Sequence, residues 1–276
     1  MPRLHAGFAA LLGIIAAGPG LADEMSAPAF DLSGQVAVVS DYRFRGVSQT
    51  NNGFAVQGAL NLAHVSGFYA GLWGSNLAGW GTFGGPNLEL DIIGGYKRPL
   101  GGGSIDVGFT WYTYPGGAAK TSFIEPYARL SGTVGPVGLT AGVAYAPSQT
   151  PLGNWSNHPD SRVGSKGDNL YLWGDAGFAV IGTPVTVKAH LGYSHGNPGL
   201  GPNGTSAAPT GRYWDWLVGA DYIVGPVTLG IAYVDTDISA SGAAFARLQP
   251  NFSKGQVAGG DPISNGRLLF SVSGAF

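Results

Sequence analysis

From Gln35 onward, apolar and polar residues alternate in segments of about ten residues, the length a tilted membrane-crossing strand needs. A two-residue period sends successive side chains to opposite faces of a β-strand. In residues 54–64, Phe54, Val56, Leu60 and Leu62 share one face, and Gln57 and Asn61 the other. In 87–97, Leu88, Leu90, Ile92 and Tyr96 oppose Glu89, Asp91 and Lys97. In 105–114, Ile105, Val107, Phe109 and Trp111 oppose Asp106, Thr110 and Tyr112. Residues 137–145, 169–180, 185–195, 214–224 and 227–235 repeat the pattern. The first strand is predicted over 35–45, with Val36, Val38, Tyr42 and Phe44 opposite Asp41, Arg43 and Arg45. The parity of 68–76 is ambiguous, and Pro126 weakens a strand over 123–132. The last segment, 266–276, puts Leu268, Phe270, Val272 and Phe276 opposite Arg267, Ser271 and Ser273.

The connections sort by length. Those at 65–67, 98–103, 133–136, 181–184 and 225–226 are short, several with Gly beside or near Pro, a turn signal. The connections between them are longer, above all 146–168 and 236–265. Strict alternation of short and long connections predicts an all-β fold, a transmembrane antiparallel up-and-down β-barrel of about 12 strands. Its turns would be periplasmic and its long loops external. Tyr96, Tyr145, Tyr193, Tyr222 and Tyr233 fall on the apolar parity near strand ends, where bilayer interfaces collect aromatics.

Composition agrees. The 276 residues include 48 Gly and no Cys, and 11% are charged. Soluble domains carry about 25% charge and about 7% Gly. No apolar run after residue 25 is long enough for a membrane-crossing helix. A net charge of -2 gives no reason to expect nucleic acid as a partner. Arg3 and His5, the apolar run 8–17, Gly18-Pro19-Gly20 and the small residues before position 23 predict a secretory signal peptide over 1–22. A short lead over 23–34 then precedes a barrel over 35–276. The terminal strand ending on Phe276 resembles the C-terminal signal of bacterial outer-membrane barrels. That resemblance implies recognition of Phe270, Val272 and Phe276 by the barrel-assembly machinery.

Several segments resemble a known family. They are Val39-Ser40-Asp41-Tyr42-Arg43-Phe44-Arg45-Gly46-Val47-Ser48-Gln49-Thr50, then Gly67-Phe68-Tyr69-Ala70-Gly71-Leu72-Trp73-Gly74-Ser75-Asn76. Glu89-Leu90-Asp91 with Gly95-Tyr96, and Asp106-Val107-Gly108-Phe109 with Tyr112-Thr113-Tyr114-Pro115, join them. These are similar to the TorF-type porins of the proteobacterial outer membrane, also catalogued as a conserved hypothetical family. The resemblance covers roughly residues 35–130 and is general in pattern beyond. Gly274 departs from the aromatic or aliphatic residue usual there. The resemblance implies a barrel in the outer membrane of a Gram-negative bacterium, in contact with its lipid. It implies little about activity, because fold does not give function.

The inward parity collects Asp41, Arg43, Arg45, Glu89, Asp91, Lys97, Asp106, Glu125, Arg129, Asp175, Lys188, His190, Asp215, Asp221 and Arg267. Charge on the lipid face costs about 2–4 kcal/mol for Arg or Lys at the midplane, which accounts for the sorting. Candidate lining residues of a narrow passage for small hydrophilic solutes are Asp41, Arg43, Arg45, Glu89, Asp91, Glu125, Arg129 and Lys188. Asp41, Arg43 and Arg45 would stand about 6–7 Å apart along one face. They would form an anion-attracting constriction or, as the favoured reading, pair with Glu89 and Asp91 across the barrel. The alternative function is a non-conducting barrel acting through its loops, among them the aromatic loop 77–86. Catalysis is not expected. No G-x-S-x-G occurs, His64 and His190 lie on strands, His158 and His195 lie in or beside loops, and Asp235-x-Asp237 reads as solvated. No metal and no cofactor are implied.

Overall fold

The chain, seen here in a computed structural model, is described for residues 29–85 and 87–276. The leader expected over 1–22 lies outside the described residues. Twelve long strands follow one another: β1 (Phe30–Val39), β2 (Ala55–His64), β3 (Phe68–Asn76), β4 (Leu88–Leu100), β5 (Gly103–Thr113), β6 (Phe123–Val134), β7 (Val137–Gln149), β8 (Gly167–Ala179), β9 (Val185–Pro198), β10 (Thr210–Val224), β11 (Val227–Thr236) and β12 (Arg267–Ala275). Each pairs antiparallel with its sequence neighbours, and β1 pairs with β12, so the sheet closes into a barrel. Closure leaves no unpaired sheet edge, the condition for strands to cross a bilayer.

The outward face is apolar all round. Val36, Val56, Leu60, Phe109, Leu139, Leu191, Val218, Leu229 and Phe270 are exposed, as side chains facing lipid must be. In β3, Phe68 and Leu72 face out, while Tyr69 is buried inside and Trp73 half-buried. Aromatics on both faces are what obscures its parity in sequence. Pro126 in β6 is accommodated because the β6–β7 ladder has already ended at Tyr127↔Ala144. Beyond that point the Gln149 side chain takes over. It accepts from the Ile124 N–H at 2.9 Å and donates to the Ile124 carbonyl at 2.8 Å.

The first strand departs from the sequence reading. It runs from Phe30 to Val39, not from 35 to 45. The ladder ends at Val39, paired with Ala55 on β2 and Ser271 on β12. Ser40 then stops the strand against β12, its N–H donating to the Phe270 carbonyl and its Oγ accepting from the Phe270 N–H, both at 2.9 Å. Beyond it the chain turns into the lumen. Arg43–Phe44 and Val47–Ser48 form a hairpin of their own there, a two-stranded sheet separate from the barrel. Its turn, Arg45-Gly46, has φ of 49° and 78°. Positive φ at both central positions is the mark of a type I′ hairpin, which favours Gly at the second.

At the long-loop end a second core forms. Leu77, Trp80 and Phe83 pack with Leu152, Leu200, Phe245, Leu248, Phe252 and Ile263 from other loops, and with Tyr42 and Val47 of the hairpin segment. The Trp80 ring lies 4.7 Å from that of Phe252, and its Nε1 donates to the Gly204 carbonyl at 2.8 Å. Burying each large apolar side chain stabilises this cap by about 1.5–3 kcal/mol.

Candidate functional site: the barrel lumen

Inward-facing residues of a water-filled pore stay wet. Here Gln57, Glu89, Asp91, Asp106, Thr110, Glu125, Tyr171, Ser194, Asp215 and Asp221 are all buried. The lumen of this conformation is filled by the inward hairpin towards the loop end, while towards the turn end inward residues such as Lys97, Arg129, Ser131, Thr140 and Ser271 are half-buried.

Asp41, Arg43 and Arg45 are not spaced along a barrel strand, and none pairs with Glu89 or Asp91. Asp41 organises the base of the hairpin. It accepts from Arg43 Nε at 2.8 Å, from Thr50 Oγ1 at 3.1 Å and from Ser48 Oγ. A carboxylate buried this deeply requires such donors. Arg43 Nη1 donates to the Gly46 and Asn265 carbonyls, each at 2.8 Å. Arg43 therefore ties the turn to the last long loop and presents no open cation. Arg45, at the tip, reaches Glu125 on β6, with Nη2 at 2.7 and 2.6 Å from the two carboxylate oxygens. Its guanidinium carbon sits 4.0 Å from the centre of the Tyr171 ring on β8. Glu89 accepts from the Tyr42 hydroxyl at 3.3 Å, and Asp91 Oδ1 has no hydrogen-bond partner.

The other charges pair along the wall as strand register dictates. Asp106 on β5 lies opposite Lys97 on β4 and Arg129 on β6. Arg129 donates to Asp106 through Nε at 3.0 Å and Nη2 at 2.7 Å, and the Tyr69 hydroxyl donates to the same carboxylate at 2.7 Å. The Tyr69 and Tyr127 hydroxyls are hydrogen-bonded to each other. Lys188 on β9 donates to both oxygens of Asp221 on β10, at 2.7 and 2.9 Å, across a diagonal of the ladder.

Alternation puts His190 inside, and the fold gathers a cluster around it that the pattern alone does not show. Its Nδ1 lies 2.7 Å from Asp175, directly opposite on β8. Its Nε2 lies 2.9 Å from the Tyr171 hydroxyl and 3.2 Å from Asp215. All four residues come from inward parity, the one signal in the sequence that joins them. Among the described residues, no group of three or more His, Asp or Glu is arranged to hold a metal ion.

The C-terminal residues sit on the outside. Phe270 and Val272 are exposed on the lipid face of β12. Phe276 follows the strand, and its N–H and carbonyl bond Gly34 of β1 at 3.0 and 2.9 Å.

Over residues 23–257 the chain matches the Gcw_chp family, described as a bacterial protein of unknown function; that description does not name TorF-type porins. No curated protein matches the sequence. The barrel is similar to that of the KdgM porin, at 10% identity over 88% of this chain and 99% of that one, with a TM-score of 0.52. A KdgM porin in complex with disordered oligogalacturonate is similar at 9% identity over 89% and 98% of the two chains, with a TM-score of 0.50. At these identities the likeness is one of fold, the outer-membrane porin barrel.

Proposed function

The chain belongs to the Gcw_chp family of bacterial proteins of unknown function, and from that footing we propose that it is a porin-type channel held shut by its own first loop. It would pass small hydrophilic solutes passively across a Gram-negative outer membrane when the Arg43–Ser48 hairpin leaves the lumen. The observation that carries this reading is that the hairpin forms a sheet of its own. Side chains hold it to the wall, through Arg45–Glu125 and Tyr42–Glu89, and no ladder joins it to the barrel. A plug with no ladder to the wall can leave without opening the barrel, once it parts from the loop cap, into which Val47 packs and whose Ile263 carbonyl accepts from the Ser48 N–H at 2.9 Å.

Behind it the wall is polar and charged, with Asp91, Glu125, Arg129 and Lys188 turned inward. The outward band would meet outer-membrane lipid, and the strand ending at Phe276 would engage the assembly machinery. No catalysis and no cofactor enter this reading.

The test is single-channel conductance of the refolded mature chain in a planar bilayer, beside a variant with residues 43–48 replaced by a Gly-Ser linker. The wild type should stay closed or open rarely, and the variant should conduct. A folded, heat-modifiable variant that never conducts would leave the second reading, a non-conducting barrel acting through its outer surface. The packing of loops 77–85, 150–166, 199–209 and 237–266 into one apolar cap favours that reading.

A further inference from the structure

Arg45 is a cation that the barrel wall already holds. Its Nη2 donates to both oxygens of Glu125 on β6, at 2.7 and 2.6 Å, and its guanidinium carbon lies 4.0 Å from the centre of the Tyr171 ring on β8. A carboxylate beside an aromatic face is a favourable seat for a planar cation. Other wall residues hold both halves of this seat. The Tyr112 hydroxyl donates to Glu125 at 3.3 Å. The Tyr171 hydroxyl lies 2.9 Å from His190 Nε2 and donates to Asp215 at 3.2 Å. Arg45 alone belongs to the hairpin.

The fit of Arg45 is incomplete. Its Nε and Nη1 are buried without a partner. Asp91 is 2% exposed, and its Oδ1 has no partner either. Asp91 faces Tyr112 across the β4–β5 ladder, beside the same Tyr112 that bonds Glu125. A buried donor or acceptor left unmet costs about 1–3 kcal/mol. The turn of the hairpin fixes how far Arg45 reaches, and a cation free of the chain has no such tether.

The charges agree when every partner is counted. Asp106 stands between Lys97 and Arg129, Lys188 bonds Asp221, and His190 bonds Asp175 and Asp215. Arg43 bonds Asp41, and Arg267 bonds Asp261. Glu89 and Asp91 are in excess of these pairings, and the cation of Glu125 is Arg45 itself. Lys97, which shares Asp106 with Arg129, is six residues from Asp91 along β4, about 20 Å by strand rise. Once the hairpin leaves, Glu89, Asp91 and Glu125 form an acidic patch around Tyr112. Charges of one sign inside a low-dielectric wall concentrate solutes of the other sign. Water fills such a space whatever its sign, so the excess of carboxylates and the aromatic face favour a cation over water alone.

We propose that the solutes of the open barrel are small organic cations with a guanidinium head, bound where Arg45 sits at rest. The head bonds Glu125, lies on the Tyr171 ring and is attracted by Glu89 and Asp91. This assignment rests on the channel reading in one respect, that solute reaches the seat when the hairpin leaves.

The experiment is equilibrium binding by saturation-transfer NMR with the mature chain refolded in detergent micelles, residues 43–48 being replaced by the Gly-Ser linker. The probe is methylguanidinium chloride. Methylurea, neutral and of the same shape, and sodium acetate are the controls. Methylguanidinium should bind, roughly tenfold or more tightly than either control. It should bind the wild-type chain roughly tenfold more weakly than the linker variant, because Arg45 occupies the seat. Glu125→Gln in the linker variant should weaken binding by roughly tenfold, the loss of a charge-assisted hydrogen bond. If the linker variant fails to fold, Arg45→Ala takes its place, since it keeps the hairpin and vacates the seat. The assignment is overturned if methylguanidinium does not bind, if methylurea binds as well, or if a folded Glu125→Gln variant binds like its parent. Binding is read without conductance. A variant that conducts but binds no methylguanidinium overturns this assignment alone, and one that binds it without conducting overturns the channel reading alone.

Discussion

Arg45 and Glu125 form a two-oxygen ion pair inside the barrel, with only 3% of either side chain exposed. Arg45 comes from the tip of the inward hairpin and Glu125 from the wall. The pair is therefore the principal charged contact fastening plug to barrel, backed by the stacking of Arg45 over Tyr171. Breaking a buried pair by removing one partner strands the other charge, at a cost of about 3–5 kcal/mol, whereas replacing both with apolar residues is often close to neutral.

Arg45→Met and Glu125→Gln should therefore each raise the open probability in single-channel recordings, because letting the hairpin out lets water reach the stranded group. The double variant Arg45→Met with Glu125→Leu should return towards the closed behaviour of the wild type. If both single variants stay as closed as the wild type, the pair is not the latch.

The turn itself offers a second handle. Gly46 has φ of 78°, and a Cβ there would meet the Thr236 methyl and come within 3.0 Å of Asp215 Cβ. The left-handed region costs an L-residue about 1–2 kcal/mol before any clash is counted. Gly46→Ala should lower stability by at least that amount in urea titration. It should also speed amide exchange at Ser48, whose N–H donates to the Ile263 carbonyl at 2.9 Å. Gly177→Ala, where nothing lies within 4 Å, is the matched control and should change neither.

The barrel was legible in the sequence and the plug was not, for one physical reason. Lipid tolerates no polar face, so Val36, Val56, Val107 and Val218 announce their side by parity alone. Inside the barrel, wall and plug obey the same preference for polar residues. Asp41, Arg43 and Arg45 prolong the alternation of β1 although its ladder ends at Val39 and the two arginines belong to a separate hairpin. Two signals marked the true boundaries. Phe30 and Leu32 already share the parity of Val36 and Val38, so the strand begins earlier. Arg45-Gly46 offers a Gly where a tight turn needs one. The partners of the lumen charges follow from register, as with Asp106↔Arg129 and Asp175↔His190, and register is set by strand ends that periodicity does not fix. Pairing of Arg43 and Arg45 with Glu89 and Asp91, expected from the alternation, requires a continuous strand and fails with it.

The lipid face yields a prediction graded by depth. Val218 lies near the middle of β10 and Val224 at its end, and both face outward. Val218→Arg should cost about 2–4 kcal/mol and Val224→Arg about 0–1 kcal/mol. Reversible refolding into lipid vesicles measures both. Equal costs would mean that the midplane of the bilayer does not lie at Val218.

Phe276 closes the seam between the first and last strands, and its ring covers Gly34, where a Cβ would overlap it. The backbone of Gly34 also exchanges both hydrogen bonds with Phe276, at 2.9 and 3.0 Å. A terminal aromatic read only as an assembly signal has no need of this seat. A residue that locks the seam does, and the two roles separate by substitution. Gly34→Val leaves the terminal sequence intact but evicts the ring. It should lower the temperature at which the folded band is lost in heat-modifiability gels, while insertion into the membrane of cells proceeds at the wild-type rate. Phe276→Ala should lower that temperature by a similar amount and also slow insertion. Should Phe276→Ala insert normally, the aromatic end serves closure of the barrel and not its recognition by the assembly machinery.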